Sequence, residues 1–274
     1  MNVPEKAPKG KPGAVLAEIL AGTRARLPEL RRRAGALEHA AGLRAAPPSF
    51  QAALRGGAGL KLIAEVKRRS PSGGEISPRL DPVRHAAAYV AAGAPAVSVL
   101  TEPAHFGGSI DDLSAVAARV ACPVLRKDFI IDELQLVEAR AMGAAAVLLI
   151  VRALAPRELR SLHRRAEGLG LGVLVEAHSV AEIDAALEVG ASVIGVNSRD
   201  LDDLSIDRNA AWALLARIPA ARVAVAESGI GSAEEAERAA AAGADAVLVG
   251  GALSRAAAPS ALVAAIARVR RHAR

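Results

Sequence analysis

The chain has 274 residues, a formal net charge of +6, 52 % apolar residues and only 2 % aromatic ones. Its one cysteine, Cys122, excludes an intramolecular disulfide and any zinc site built on several thiolates. The arginines lack interleaved aromatics for base stacking and no apolar run reaches the ~18 residues of a membrane helix, so no nucleic-acid or membrane partner is expected and the location expected is cytoplasmic.

Residues 1–13, MNVPEKAPKGKPG, are basic and rich in Pro and Gly, without the apolar core of a secretory signal, and read as a disordered tail. Apolar residues at helical spacing (Val15, Leu16, Ile19, Leu20, Leu27, Leu30) then predict a helical extension over about 14–46, two helices broken near Pro28. From residue 61 a unit repeats. Short Val/Ile/Leu-rich runs fall at 61–66, 96–100, 123–126, 146–151, 172–176, 193–197, 222–226 and 246–249. Ala-rich amphipathic stretches follow at 81–92, 110–120, 132–142, 156–169, 179–189, 207–218, 232–242 and 259–271. Strands alternating with helices of this length form parallel βαβ units, and eight of them close a (β/α)8 TIM barrel. No GxGxxG follows the first run, which disfavours an open doubly wound sheet. Residues 14–274 are thus expected to form a single α/β barrel domain with extra N-terminal helices.

In a barrel the reactive groups sit at the C-terminal ends of the strands. Those ends carry Glu65, Lys67, Lys127, Glu176, Asn197, Arg199, Glu227 and Ser228. Only six lysines occur, three of them in the first eleven residues, yet Lys67 and Lys127 stand at strand ends in a chain that otherwise uses arginine. Burial lowers a lysine's pKa toward values useful for proton transfer, whereas arginine stays charged; the alternative is a lysine that merely pairs with a carboxylate. Glu65 and Glu176 admit the same two readings, general base or counter-ion. Two of the three phenylalanines, Phe106 and Phe129, fall in loops, where they either wall a flat ligand or pack the loops down. Gly229 after the seventh run, and Gly250 and Gly251 after the eighth, let backbone N–H groups approach a phosphate, although turns need glycine in any case. The six histidines are scattered, with no metal-ligand spacing and no assigned role.

The segments IAEVKRRSPSGG (63–74), LTEPAHFGGS (100–109), PVLRKDF (123–129), VEA (175–177), GVNSRDL (195–201), AESGI (226–230) and VLVGGAL (247–253) together resemble indole-3-glycerol-phosphate synthase. The resemblance implies closure of the indole ring, with loss of CO2 and water, from 1-(2-carboxyphenylamino)-1-deoxyribulose 5-phosphate in tryptophan biosynthesis. It implies Lys127 as general acid and Glu176 as base, with Lys67, Glu65 and Asn197 positioning the reacting groups. By the same resemblance Asn197 and Arg199 hold hydroxyl groups or support that network, Glu227 and Ser228 flank the ribulose-derived chain, and Ser70, Gly229, Gly250 and Gly251 bind the phosphate. Pro71 shapes the first loop, and Phe106, Phe129, Leu148 and Leu248 line the pocket. No metal or cofactor is implied, the partner is a phosphorylated small molecule, and the working unit is a monomer. The chain departs from the family at Gly73, where many members have Lys, and at Gly251, where many have Ser or Glu. Rival readings are a phosphate-gripping isomerase barrel, a Schiff-base aldolase working through Lys67 or Lys127, and a barrel without catalytic function.

Overall fold

A computed structural model describes residues 14–272; the tail expected over 1–13 lies outside them. Eight parallel strands close a barrel: β1 (Lys61–Val66), β2 (Ala96–Leu100), β3 (Val124–Lys127), β4 (Ala146–Ile150), β5 (Gly172–Ala177), β6 (Val193–Asn197), β7 (Val223–Glu227) and β8 (Ala246–Val249). β8 pairs back onto β1 with Lys61 opposite Ala246 and Ala64 opposite Val249. Each strand agrees with its expected run to within one residue, because fully buried strands read as unbroken β-branched and leucine-rich segments.

Side chains alternate along the strands, and the alternation builds two cores. Ile63, Leu125, Leu148, Leu174, Val193, Val225 and Leu248 point inward and fill the barrel. Leu62, Val97, Val124, Val147, Val175, Ile194 and Val247 belong instead to the layer between the strands and the surrounding helices. Those helices start at side-chain caps. Asp81 accepts from the N–H groups of Val83 and Arg84, and Ser109, Ser179, Asp207 and Ser232 act alike at theirs.

The extension wraps the barrel. α1 (Ala14–Arg32) sets Leu16, Ile19 and Leu20 in the inward-facing core beside Phe129, while α2 (Ala34–Gly42) packs Leu37 and Ala41 against Val137 and Ala141. A short α3 (Phe50–Leu54), not foreseen from the sequence, lies at the strand starts. There a Cβ on Gly172 would approach Phe50 Cβ to 2.9 Å, so the glycine gives Phe50 its place.

Two expectations fail here. The extension does not break at Pro28; α1 continues to Arg32 and the break comes at Arg33. Pro28 lies on the exposed face of α1, where water can satisfy the carbonyl that loses its N–H partner. The last helix (Pro259–Ala267) stops before 271, because the chain then turns to pair with the approach to β1: Leu60 N–H donates to Val269 O at 2.8 Å and Arg271 N–H to Ala58 O at 2.8 Å.

Candidate active site

The inward-facing residue next after the apolar layers is polar on five strands: Glu65, Lys127, Glu176, Asn197 and Glu227. Strand register puts Asn197 opposite Glu227, while Glu176 lies opposite Gly195 and Glu227 opposite Leu248, so these residues are staggered around the barrel end. The Lys127 ammonium lies 3.4 Å from Glu176 Oε2 and 3.5 Å from Glu227 Oε2, and the Lys67 ammonium 2.9 Å from Glu65 Oε1. All three carboxylates are buried. Two of them fit only because a glycine faces them. A Cβ on Gly195 would collide with Glu227 Oε1, and one on Gly250 with Glu65 Oε1. Gly250 therefore has a packing duty toward Glu65 that its reading as a phosphate glycine did not anticipate.

Electrostatics decides a balance between burial and pairing that the sequence left open. Burial by itself would lower the Lys127 pKa, but Glu176, Glu227 and Glu65 outweigh it and hold the ammonium above the ordinary lysine value. The carboxylates divide unequally. Burial opposes ionisation of Glu176, but Lys127, His178 and Asn197 bring its pKa below the usual carboxylate range. Glu227 is pushed up to about 8, by burial first and then by the charge of Glu176. Neither Glu227 oxygen has a hydrogen-bond donor among the described residues. Two carboxylates thus face one strongly held ammonium, and the second holds its proton to higher pH than the first.

The residues singled out from the sequence line one mouth with two lobes. A cavity of about 700 Å³ is bordered by Ser70, Leu248, Gly250, Gly251, Glu227 and Gly229, together with Ser72 and Arg255. The second lobe is smaller, about 80 Å³, and more apolar: Pro71, Phe106, Phe129 and Leu148 wall it, with Glu176 and Asn197 at its base. Glu65, Lys67, Lys127, Arg199 and Ser228 border both lobes, so the lysines stand at the seam. The Phe106 and Phe129 ring centroids are 6.2 Å apart, and the Lys67 ammonium lies 5.9 Å from the Phe106 ring centroid.

The loops are held from several sides. In the first, Gly73 N–H donates to Ser70 Oγ at 3.1 Å within a hairpin of Arg69–Ser70 and Gly74–Glu75; a Cβ on Gly73 would come to 3.0 Å from that hydroxyl. In the sixth, Arg199 N–H donates to Asn197 Oδ1 at 3.0 Å and its guanidinium to Leu204 O at 2.9 Å. After β7, Ser228 adopts φ 64°, a left-handed conformation that costs a non-glycine residue roughly 1–2 kcal/mol, and Gly229 follows at φ 73°. The sequence reading missed Val15, Leu16 and Ile19 of α1, which border the apolar lobe; their helical spacing was visible, but not that their face covers the mouth. It also missed Arg255, whose Nη2 lies 3.1 Å from where a Cβ on Gly251 would sit, and His178, whose Nε2 is 3.6 Å from Glu176 Oε1. No short motif marks either.

The family model for indole-3-glycerol phosphate synthase matches residues 16–266. The indole-3-glycerol phosphate synthase 2 of Streptomyces coelicolor is 54 % identical over 217 residues, 78 % of this chain and 84 % of that one. The Mycobacterium ulcerans indole-3-glycerol phosphate synthase is 47 % identical over 255 residues, 92 % of this chain and 93 % of that one. Among solved structures, a 3-hexulose-6-phosphate synthase aligns with TM-score 0.62 over 77 % of this chain and 99 % of its own; at 18 % identity this likeness concerns the barrel alone. The chain belongs to the indole-3-glycerol phosphate synthase family.

Proposed function

We propose that the mouth closes the indole ring of 1-(2-carboxyphenylamino)-1-deoxyribulose 5-phosphate, the tryptophan-biosynthesis reaction of the family, with the phosphate in the wide polar lobe and the carboxyphenyl ring in the apolar one. The observation that carries this reading is the Lys127 ammonium at the seam of the lobes, gripped by Glu176 and Glu227 at 3.4 and 3.5 Å. A substrate lying across both lobes brings its C2′ carbonyl and the carboxyl-bearing ring carbon to that point.

Lys127 meets the substrate protonated, as a general acid must. As the ring carbon attacks C2′, the carbonyl oxygen becomes an alkoxide more basic than an amine, so proton transfer from even a weakly acidic ammonium runs downhill. Attack leaves the ring cationic and dearomatised; breaking its bond to the carboxylate returns the electron pair to the ring and releases CO2. Lys67, paired with Glu65, faces that carboxylate. Loss of the C2′ hydroxyl as water and of a C1′ proton completes the indole, and Glu176, held ionised, takes the proton. Asn197 and Arg199 fix the loop beneath. Glu227 and Ser228 hold the hydroxyls of the sugar-derived chain; neither Glu227 oxygen is engaged in a hydrogen bond among the described residues, so the carboxyl can donate to or accept from a substrate hydroxyl. Ser70, Gly229, Gly250 and Gly251 hold the phosphate, and Phe106, Phe129, Leu148, Leu248 and Pro71 complete the walls.

A Schiff-base aldolase needs a lysine that readily gives up its proton, and the charge around Lys127 opposes that. One chain supplies every group named here, so the reading takes a monomer as the working unit. No helix among the described residues is long and apolar enough to cross a membrane. Supplying the substrate and following indole absorbance tests the assignment. Lys127→Ala is expected to lower kcat by on the order of 10² or more, and near-normal turnover would remove Lys127 from its role.

A further inference from the structure

Behind Glu176 runs a line of charges that the steps above do not use. His178 leaves the end of β5 two residues after Glu176, and its side chain is 5 % exposed. Its Nε2 faces Glu176 Oε1 at 3.6 Å, and neither of these buried atoms has a hydrogen-bond partner among the described residues. Its other ring nitrogen, Nδ1, lies 3.2 Å from Glu182 Oε2, which also accepts the His178 backbone N–H at 2.8 Å. Glu182 stands in the first turn of the helix Val180–Glu188, where its own N–H is capped by Ser179 Oγ at 3.2 Å. On its far side Arg152 approaches Glu182 Oε1 at 3.4 Å and reaches Asp200 and Asp202 at 3.5 Å each, in the loop that carries Arg199.

Two features make this more than packing. Glu182 grips both the backbone and the ring of His178, which fixes the imidazole plane. The atom so aimed is, among the described residues, an unpartnered buried ring nitrogen facing the unpartnered oxygen of Glu176, whose other oxygen lies against Lys127. A buried polar atom without a partner costs about 1–3 kcal/mol, so a pair of them facing each other is a contact poised to close.

We propose that His178, clamped by Glu182, is a positioning residue for Glu176: it holds Oε1 so that Oε2 is presented to Lys127 and the substrate, and through Arg152 it ties that orientation to the loop bearing Arg199. The inference rests on Glu176 being the base of the ring-closing reaction. The titratable groups facing Glu176 are Lys127 from β3, Glu227 from β7 and His178 itself; those facing His178 are Glu176 and Glu182. A donor at Nε2 favours the ionised carboxylate, so its loss moves the Glu176 titration to higher pH.

The test compares His178→Ala, His178→Gln and Glu182→Gln with the wild-type enzyme. His178→Ala is expected to lower kcat by on the order of tenfold or more with KM changed by less than about threefold, and to shift the acid limb of the kcat–pH profile upward. His178→Gln, which keeps a donor near the Nε2 position, is expected to recover most of that loss, and Glu182→Gln to shift the limb in the same direction by less. A kcat for His178→Ala within about twofold of wild type across the profile would overturn the proposal, as would a loss with an unmoved acid limb that glutamine does not rescue. Should the alanine variant fail to fold, an unmoved limb in Glu182→Gln would do the same. Carboxyl 13C titration of Glu176, assigned with Glu176→Gln, reads the shift without turnover. An inactive wild type with an upward-shifted Glu176 in the variants would therefore count against the reaction and for the contact.

Discussion

At the floor of the barrel Phe50 and Leu54 sit at 1 % and 0 % exposure among Ile63, Ala146, Leu174 and Val193. At the mouth Glu65, Glu176 and Glu227 are buried as deeply, at 2 %, 1 % and 1 %. Equal burial has opposite consequences. The floor gains transfer free energy from every apolar atom it removes from water. The mouth takes charge out of water and recovers part of the cost through two ammonium groups, so a carboxyl group there is left holding a proton it would release in solution. The floor is where stability resides, and the mouth is where stability is given up for reactivity.

Changes at each end should separate the two. Phe50→Ala removes an aromatic plug that Gly172 was shaped to admit and should cost about 3–5 kcal/mol in denaturant unfolding, with kcat per folded molecule unchanged; a matching loss of kcat would show that the floor and mouth are coupled. Gly195→Ala intrudes on Glu227 from the next strand and should cost about 1–3 kcal/mol, this time with turnover falling as well. Glu227→Gln should go the other way and stabilise the fold by ~1–2 kcal/mol at pH 8 while turnover falls. The sign follows from the raised pKa. Below the unfolded carboxylate value both states are protonated and there is no penalty; as pH rises toward about 8 the unfolded chain gains by ionising while the folded one resists. The Tm difference between Glu227→Gln and wild type should therefore be larger at pH 8 than at pH 5, and a difference that shrinks over that range would contradict the shared-proton picture.

The strands were the legible part of the sequence, because an eight-fold pattern of apolar runs leaves little choice of topology; α3, which brings Phe50 and Leu54 to the floor, was not. The mouth residues were found from their place at strand ends; that Glu65 and Lys127 point inward follows in the barrel from Ile63 and Leu125 two positions earlier. Three things were not legible. Pro28 looked like a helix break because sequence does not say which face water will reach. The direction of the Lys127 pKa was left open because its three carboxylates lie 49 or more residues away along the chain and only the closed barrel brings them together. His178 stood unassigned for the same reason that Gly195 did: each acts on a side chain rather than on a ligand, and no motif records such a duty.

Strand β3 carries Arg126 and Lys127 side by side, the first turned outward to Asp128 and Glu138 and the second inward to Glu176 and Glu227. A slip of one position along β3 would exchange them and deliver a guanidinium to the carboxylates at the seam. The tally of cations against anions at that spot would be conserved, yet the newcomer could not part with a proton. The damage from such an error would be invisible to any accounting of charge and complete for the reaction.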